Sequence, residues 1–147
     1  MSYAYSFMDV SATLVGPGAV IDLGYGSASA EEGITITGGN DKNTMTIGAD
    51  GTPMHSLHAD SSGQITVRLL KTSPVNQKLM AAYDTQRLSS ALWGQNVITI
   101  SLSSSGDQTV GRSVAFKKRP DINYKKDADI VEWTFDAGQV DSILGTF

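Results

Sequence analysis

Apolar and polar positions alternate along most of the chain, and one stretch breaks the alternation. Tyr3, Tyr5 and Phe7 alternate with Ala4, Ser6 and Met8, which predicts a half-buried strand that "DVSATLV" extends. "VGPG" is a turn signal, "AVIDLG" a short strand, and "GYGSASAEEG" a loop of glycines and small polar residues. "ITITG" and "NTMTIG" are short period-2 stretches separated by the turn chemistry of "GGNDKN". From Gly48 to Gly63 the pattern fades, leaving at most one short strand at Met54–Ala59. The whole segment near 38–63 therefore reads as a long loop excursion, of the kind that is usually functional or mobile.

Alternation returns with Ile65, Val67 and Leu69 on one face and Thr66, Arg68 and Leu70 on the other. It stops at Ser73-Pro74. Ser73 suits an N-cap, since its hydroxyl can accept an orphan N–H of the first turn. Pro74 suits the first helical position, and Asn76 stands where a capping box would want Glu or Gln. Val75, Leu79, Ala82 and Tyr83 recur at helical spacing, and "DTQRLSSALWG" continues or follows the helix to a stop at Gly94. Ile98, Ile100 and Leu102 mark the clearest strand; Val114 and Phe116 mark another, ended by Pro120. Finally Val131, Trp133 and Phe135 face one way against Ile130, Glu132, Thr134 and Asp136, which places Trp133 in the core. The pattern predicts a mainly β fold, a β-sandwich or small barrel, with one flanking α-helix that closes an open end or covers a face.

The 147 residues suit a single domain spanning 1–147. The chain is 40% apolar and 18% charged, an ordinary globular balance. It has no cysteine, which excludes disulfides and thiolate metal sites. "MSYAYSFMDV" shows no basic n-region or apolar h-region of a secretory signal, and no run approaches the ~18 apolar residues of a membrane span. A net charge of −4 argues against non-specific nucleic-acid affinity. The charge is unevenly placed. Lys117, Lys118, Arg119, Lys125 and Lys126 stand against Asp121 alone, a local +4, so the rest of the chain carries −8. A basic patch on an acidic body favours self-association, and these five residues are expected to contact an acidic neighbouring protomer.

Catalytic and metal chemistry finds little support. His55 and His58, near Asp60, would share a side of a helix but point to opposite faces of a strand. Flanking glycines favour loop or extended structure, and no third ligand is specified, so they read as histidines making ordinary contacts. "GGNDKNTMTIGADG" fails as a calcium loop, because the fifth and sixth positions from Asp41 hold Met45 and Thr46. No P-loop, dinucleotide fingerprint or nucleophile elbow is present. "FKKRPDINYKK" mixes basic and aromatic residues as single-strand nucleic-acid surfaces do, but the acidic remainder favours a solvated loop or a contact for an acidic neighbour. The expectation is a protein without catalytic residues, cofactor or metal.

Several dissimilar segments in order give the chain a resemblance: "MSYAYSFMDVSATLVGPG", "ADG" before the excursion, "GQITVRLLKTSPVNQKL", and "FKKRPDINYKKDADIVEWTFDAGQVDSILG". Together they resemble the tail tube proteins of contractile-tailed bacteriophages, most nearly the KPP10-like structural protein family. The resemblance implies a virion protein, made in the host cytoplasm, that forms hexameric rings stacked head to tail into the inner tail tube. Strands from the protomers line the lumen, the helix covers the outer face, and a contractile sheath surrounds the tube. Tape measure, baseplate and tail terminator proteins are the other implied partners. Viral DNA transits without specific binding, which a net negative chain suits, and no membrane anchor is implied. In such tubes a long loop reaches from ring to ring. Here that points to Asp41, Lys42, Asn43, Asp50, His55 and His58 of the excursion. Two alternatives remain: a bacteriocin or type VI-like secretion tube, and a non-tubular β-sandwich binding module.

Overall fold

The computed structural model describes residues 4–24, 26 and 29–146, and the backbone alone of 29–32. Its strands are β1 (Val10–Gly16), β2 (Ala19–Asp22), β3 (Ser29–Gly38), β4 (Asn43–Ile47), β5 (Pro53–Leu57), β6 (Gly63–Leu70), β7 (Asn96–Leu102), β8 (Asp107–Phe116) and β9 (Ile130–Ile143). One α-helix, α1 (Val75–Gln86), lies between β6 and β7. Among the described residues, seven strands form an antiparallel sheet in the order β2-β1-β7-β8-β9-β6-β3. β4 and β5 pair only with each other.

The period-2 pattern explains the core. Ile65, Val67 and Leu69 stand opposite Phe135, Trp133 and Val131 in register, and all six are buried on one face. Ala12, Leu14, Ile98, Val114 and Phe116 join them from the neighbouring strands. Each fully buried Leu, Ile or Phe contributes about 1.5–3 kcal/mol through the apolar area taken from water. Phe116 is the aromatic hub, with ring centroids of Phe135 at 4.9 Å, Tyr83 at 5.6 Å and Trp133 at 5.9 Å. The sheet curls strongly. Ile34 and Ile36 of β3 share a cleft of about 550 Å³ with Ile100 and Leu102 of β7, although three strands separate β3 from β7 in the ladder. This curl gives the sandwich or small-barrel character that the pattern predicts, with the cleft at one end of the core.

Helix α1 closes the other end. It inserts Val75, Leu79 and Ala82 into the core. The start is shifted by one residue from the expected one: Pro74 stands at the N-cap and Val75 opens the helix, while the Ser73 Oγ, one place earlier, accepts the Val75 N–H at 3.3 Å. Asn76 takes a role that a capping box does not foresee. Its Nδ2 donates to the Leu70 carbonyl at 2.9 Å, and its Oδ1 accepts the Trp133 indole N–H at 3.0 Å. One amide thus ties the helix to β6 and β9 and satisfies the buried indole. At the far end Gln86 and Asn96, both fully buried, exchange two amide hydrogen bonds of 2.8 and 2.7 Å, and Asn96 donates to the Val114 carbonyl at 3.1 Å. Gly16 makes room for this pair, since a Cβ there would lie 1.8 Å from the Asn96 Oδ1. Residues after Gln86 form turns and do not continue the helix.

Three expectations are revised. No strand precedes β1 among residues 4–9. The Ser6 hydroxyl accepts the Met8 N–H and its carbonyl the Asp9 N–H, so the backbone is drawn into a 3-10 turn, Phe7–Asp9. Tyr5 is consequently 62% exposed, and Tyr3 lies outside the described residues. The expected loop "GYGSASAEEG" is partly strand, because β3 begins at Ser29. An irregularity between Ser29 and Ile34 disrupts the alternation there. The excursion is no loop either. It is the β4–β5 hairpin, and its second strand runs over Pro53–Leu57, not Met54–Ala59. Cross-strand pairing with Asn43–Ile47 supplies the order that weak periodicity did not reveal.

Candidate assembly surfaces

The hairpin is built from its base. Asp60 accepts hydrogen bonds from the Asn40 amide and from the Ser62 N–H at 2.9 Å, while the Lys42 Nζ donates to the His58 carbonyl and the Ser61 Oγ at 3.2 and 3.1 Å. The Ser62 hydroxyl, then the Asn40 amide and the Ser62 N–H, hold the Asp60 carboxyl down at about 2, from an ordinary 3.8. Along the strands the Asn43 Nδ2 meets the His55 Nδ1 at 3.3 Å, and the Thr44 Oγ1 meets the His58 Nε2 at 2.7 Å. At the tip the Asp50 carboxylate accepts the Thr52 N–H at 3.0 Å, which lowers its pKa. Gly51 takes a positive φ of 85° that the turn requires.

All six excursion candidates thus lie on one exposed hairpin. Asp41 and Asp50 are solvated, and Lys42, Asn43, His55 and His58 hold the hairpin's own geometry. Among the described residues no three histidine or carboxylate side chains converge as a metal site. Among the described residues no helix is long and apolar enough to cross a membrane.

Less visible in the sequence is the hairpin's one-sided apolar character. Met45, Ile47, Pro53 and Leu57 share a face by register with Asn43 and His55, with exposures of 55% for Met45, 53% for Ile47 and 87% for Leu57, while Met54 alone is apolar on the opposite face. The Met45/Ile47 alternation was the signal. It reads as an ordinary strand until the structure shows that no described residue covers it.

The basic candidates occupy the connection between β8 and β9. Lys117, Lys118 and Arg119 are exposed, ahead of a buried Pro120. Lys125 is paired with Asp129 at 3.4 Å, and the Asn123 amide together with Lys125 keeps the Asp129 carboxyl low. Lys126 is exposed. The structure adds residues that the linear run did not include. Lys71 sits over the Tyr124 ring at 4.8 Å, and Arg87 joins Lys118 and Arg119 around a groove of about 640 Å³ beside α1. The far face of the sheet is polar: Arg68 reaches Glu132 at 3.3 Å and the Thr35 Oγ1 at 2.8 Å, and Gln64 reaches Asp136 at 3.1 Å.

The fold is that of injection-system tubes. The chain is similar to a chain in the sheath–tube complex of the extracellular contractile injection system PVC in its extended state, at 14% identity and a TM-score of 0.60, over 97% of this chain and 93% of that one. It is similar to a chain of the PVC sheath/tube terminator at 16% identity and a TM-score of 0.63, over 97% and 98%. It also matches the tube-terminating cap of the anti-feeding prophage at 10% identity and a TM-score of 0.58, over 99% and 94%. A search of curated proteins by sequence found no match. The family model of the bacteriophage PhiTE tail tube protein matches residues 1–145. With a tube-protein fold and a match of that length, the chain belongs to the phage tail tube family named for PhiTE.

Proposed function

We propose that this chain assembles into hexameric rings that stack head to tail as the inner tube of a contractile tail, through which DNA passes when a surrounding sheath contracts. The observation that carries the reading is the β4–β5 hairpin in a chain of this family. A two-stranded hairpin with an open apolar face is marginal in water and is expected to find its cover on another molecule. The inter-ring role falls on Asp41, Lys42, Asn43, Asp50, His55 and His58 with that face. Lys117, Lys118, Arg119, Lys125 and Lys126 supply the charged contact between protomers. The polar sheet face bearing Gln64, Arg68, Glu132 and Asp136 is suited to an aqueous lumen, and its net negative charge keeps phosphates from sticking.

The role is structural and needs no catalysis or cofactor. Sheath, tube terminator and baseplate are the partners that the similar structures support, with a tape measure protein inside the tube during assembly in the host cytoplasm. The finished location is the virion tail. A second reading, an injection-system tube without genome passage, is favoured by the same structural neighbours; the family match favours the phage tail. Size-exclusion chromatography with light scattering tests self-assembly: ring-sized or larger species are expected. A strict monomer at high concentration in several salts contradicts it.

A further inference from the structure

The hairpin and the basic groove lie at opposite ends of the protomer. β6 leaves the hairpin at Gly63 and ends at Leu70, opposite Ile130, where the basic connection enters β9. Its eight residues set the two features about 25 Å apart at ~3.3 Å per residue. They cannot meet within one chain.

Their chemistries match. Eight of the chain's eleven Lys and Arg residues fall in segments 71–87 and 117–126, against Asp84 and Asp121 alone. Segment 38–63 carries Asp41, Asp50 and Asp60 against Lys42. The groove is lined by Met80, Tyr83 and the exposed Ile122, and by Arg87, Lys118 and Arg119 against one carboxylate, Asp84, which pairs with Arg87 at 3.4 Å. The hairpin has an apolar face of Met45, Ile47, Pro53 and Leu57 and a carboxylate, Asp50, at its tip. Apolar side chains stand on both surfaces, and the groove's excess of basic over acidic groups faces the hairpin's acidic tip.

We infer that the hairpin of one copy seats in the groove between α1 and the 117–129 connection of the next copy. The inference rests on the stacked-tube reading and names the two surfaces that join. Such a contact is heterologous: each copy offers a hairpin at one end and a groove at the other, so contacts propagate along an axis without closing. Burial of the hairpin face supplies the attraction. The charges, exposed and screened by salt, steer the approach and fix the register.

A chain without cysteine gives a clean test. Ala49 at the hairpin tip and Asp121 beside Ile122 are both exposed and outside the apolar contact. The Ala49→Cys/Asp121→Cys variant, oxidised after assembly, should give a ladder of disulfide-linked oligomers beyond the dimer on non-reducing gels. Each single variant should stop at the monomer or an incidental dimer. Tubes seen by microscopy with no ladder overturn the inference and leave the tube reading standing. Failure of the wild-type chain to assemble overturns both. A charge exchange gives an independent check. Asp50→Lys should raise the concentration needed for stacking several-fold at low salt, and adding Arg119→Asp should restore it. No restoration, with circular dichroism unchanged, assigns Asp50 to some other surface.

Discussion

Trp133 shows how one residue joins sequence pattern to tertiary structure. Its alternation with polar neighbours predicts an inward side chain, and it is 1% exposed. Its N–H partner, Asn76, belongs to a different element and no local pattern points to it. Trp133→Ala should cost about 3–5 kcal/mol, from lost burial, a cavity and an orphaned Asn76 oxygen. Denaturant unfolding of the variant checks this; a melting point within a degree or two of wild type contradicts it. Asp60 carries a pH dependence. Its folded pKa of about 2 lies below its ordinary 3.8, so it stabilises the hairpin base fully above 3.8 and the contribution is lost as pH falls through about 2. A carboxyl NMR titration should place its midpoint near 2, while a midpoint at 3.8 or above means an open base.

Elements were legible where one face is buried. β6, the start of β7 and the first half of β9 alternate because each packs one side on the core there, and α1 announces itself through Ser73, Pro74 and its helical spacing. Legibility failed where that rule fails. β4 and β5 are exposed on nearly every residue, so burial imposes no period on them. At the N-terminus, Ser6 hydrogen-bonds locally and overrides the alternation of Tyr5 and Phe7. The basic run 117–126 was visible, but not the groove that Lys118 and Arg119 line, because that groove joins segments far apart in sequence: α1 and the connection after β8. The hairpin is separable from the sheet, since the His58 N–H donates to the Lys42 carbonyl at 2.9 Å and holds the base closed. Replacing residues 43–57 by a short Gly-Ser turn should leave circular dichroism and cooperative melting close to wild type, because closing a shorter loop costs less entropy. Stacking should be lost. An unfolded product would instead make the hairpin part of the protomer's core stability.

At the scale of the whole molecule, an acidic body carries a basic segment at 117–126, and the proposed stacking would turn that polarity into polarity of an assembly. Exchanging Lys117, Lys118 and Arg119 for Glu should weaken assembly most at low ionic strength, where screening is least. Sedimentation across a salt series reads this directly, and assembly undiminished at low salt would reduce that segment to a solvated loop. The central proposal is one chain that builds a tube by itself. Negative-stain microscopy of the purified wild-type protein is the most direct measurement. It should show rings with a central channel, stacked into tubes of uniform width. Fields of isolated single protomers, at concentrations where the chain is folded, would contradict it.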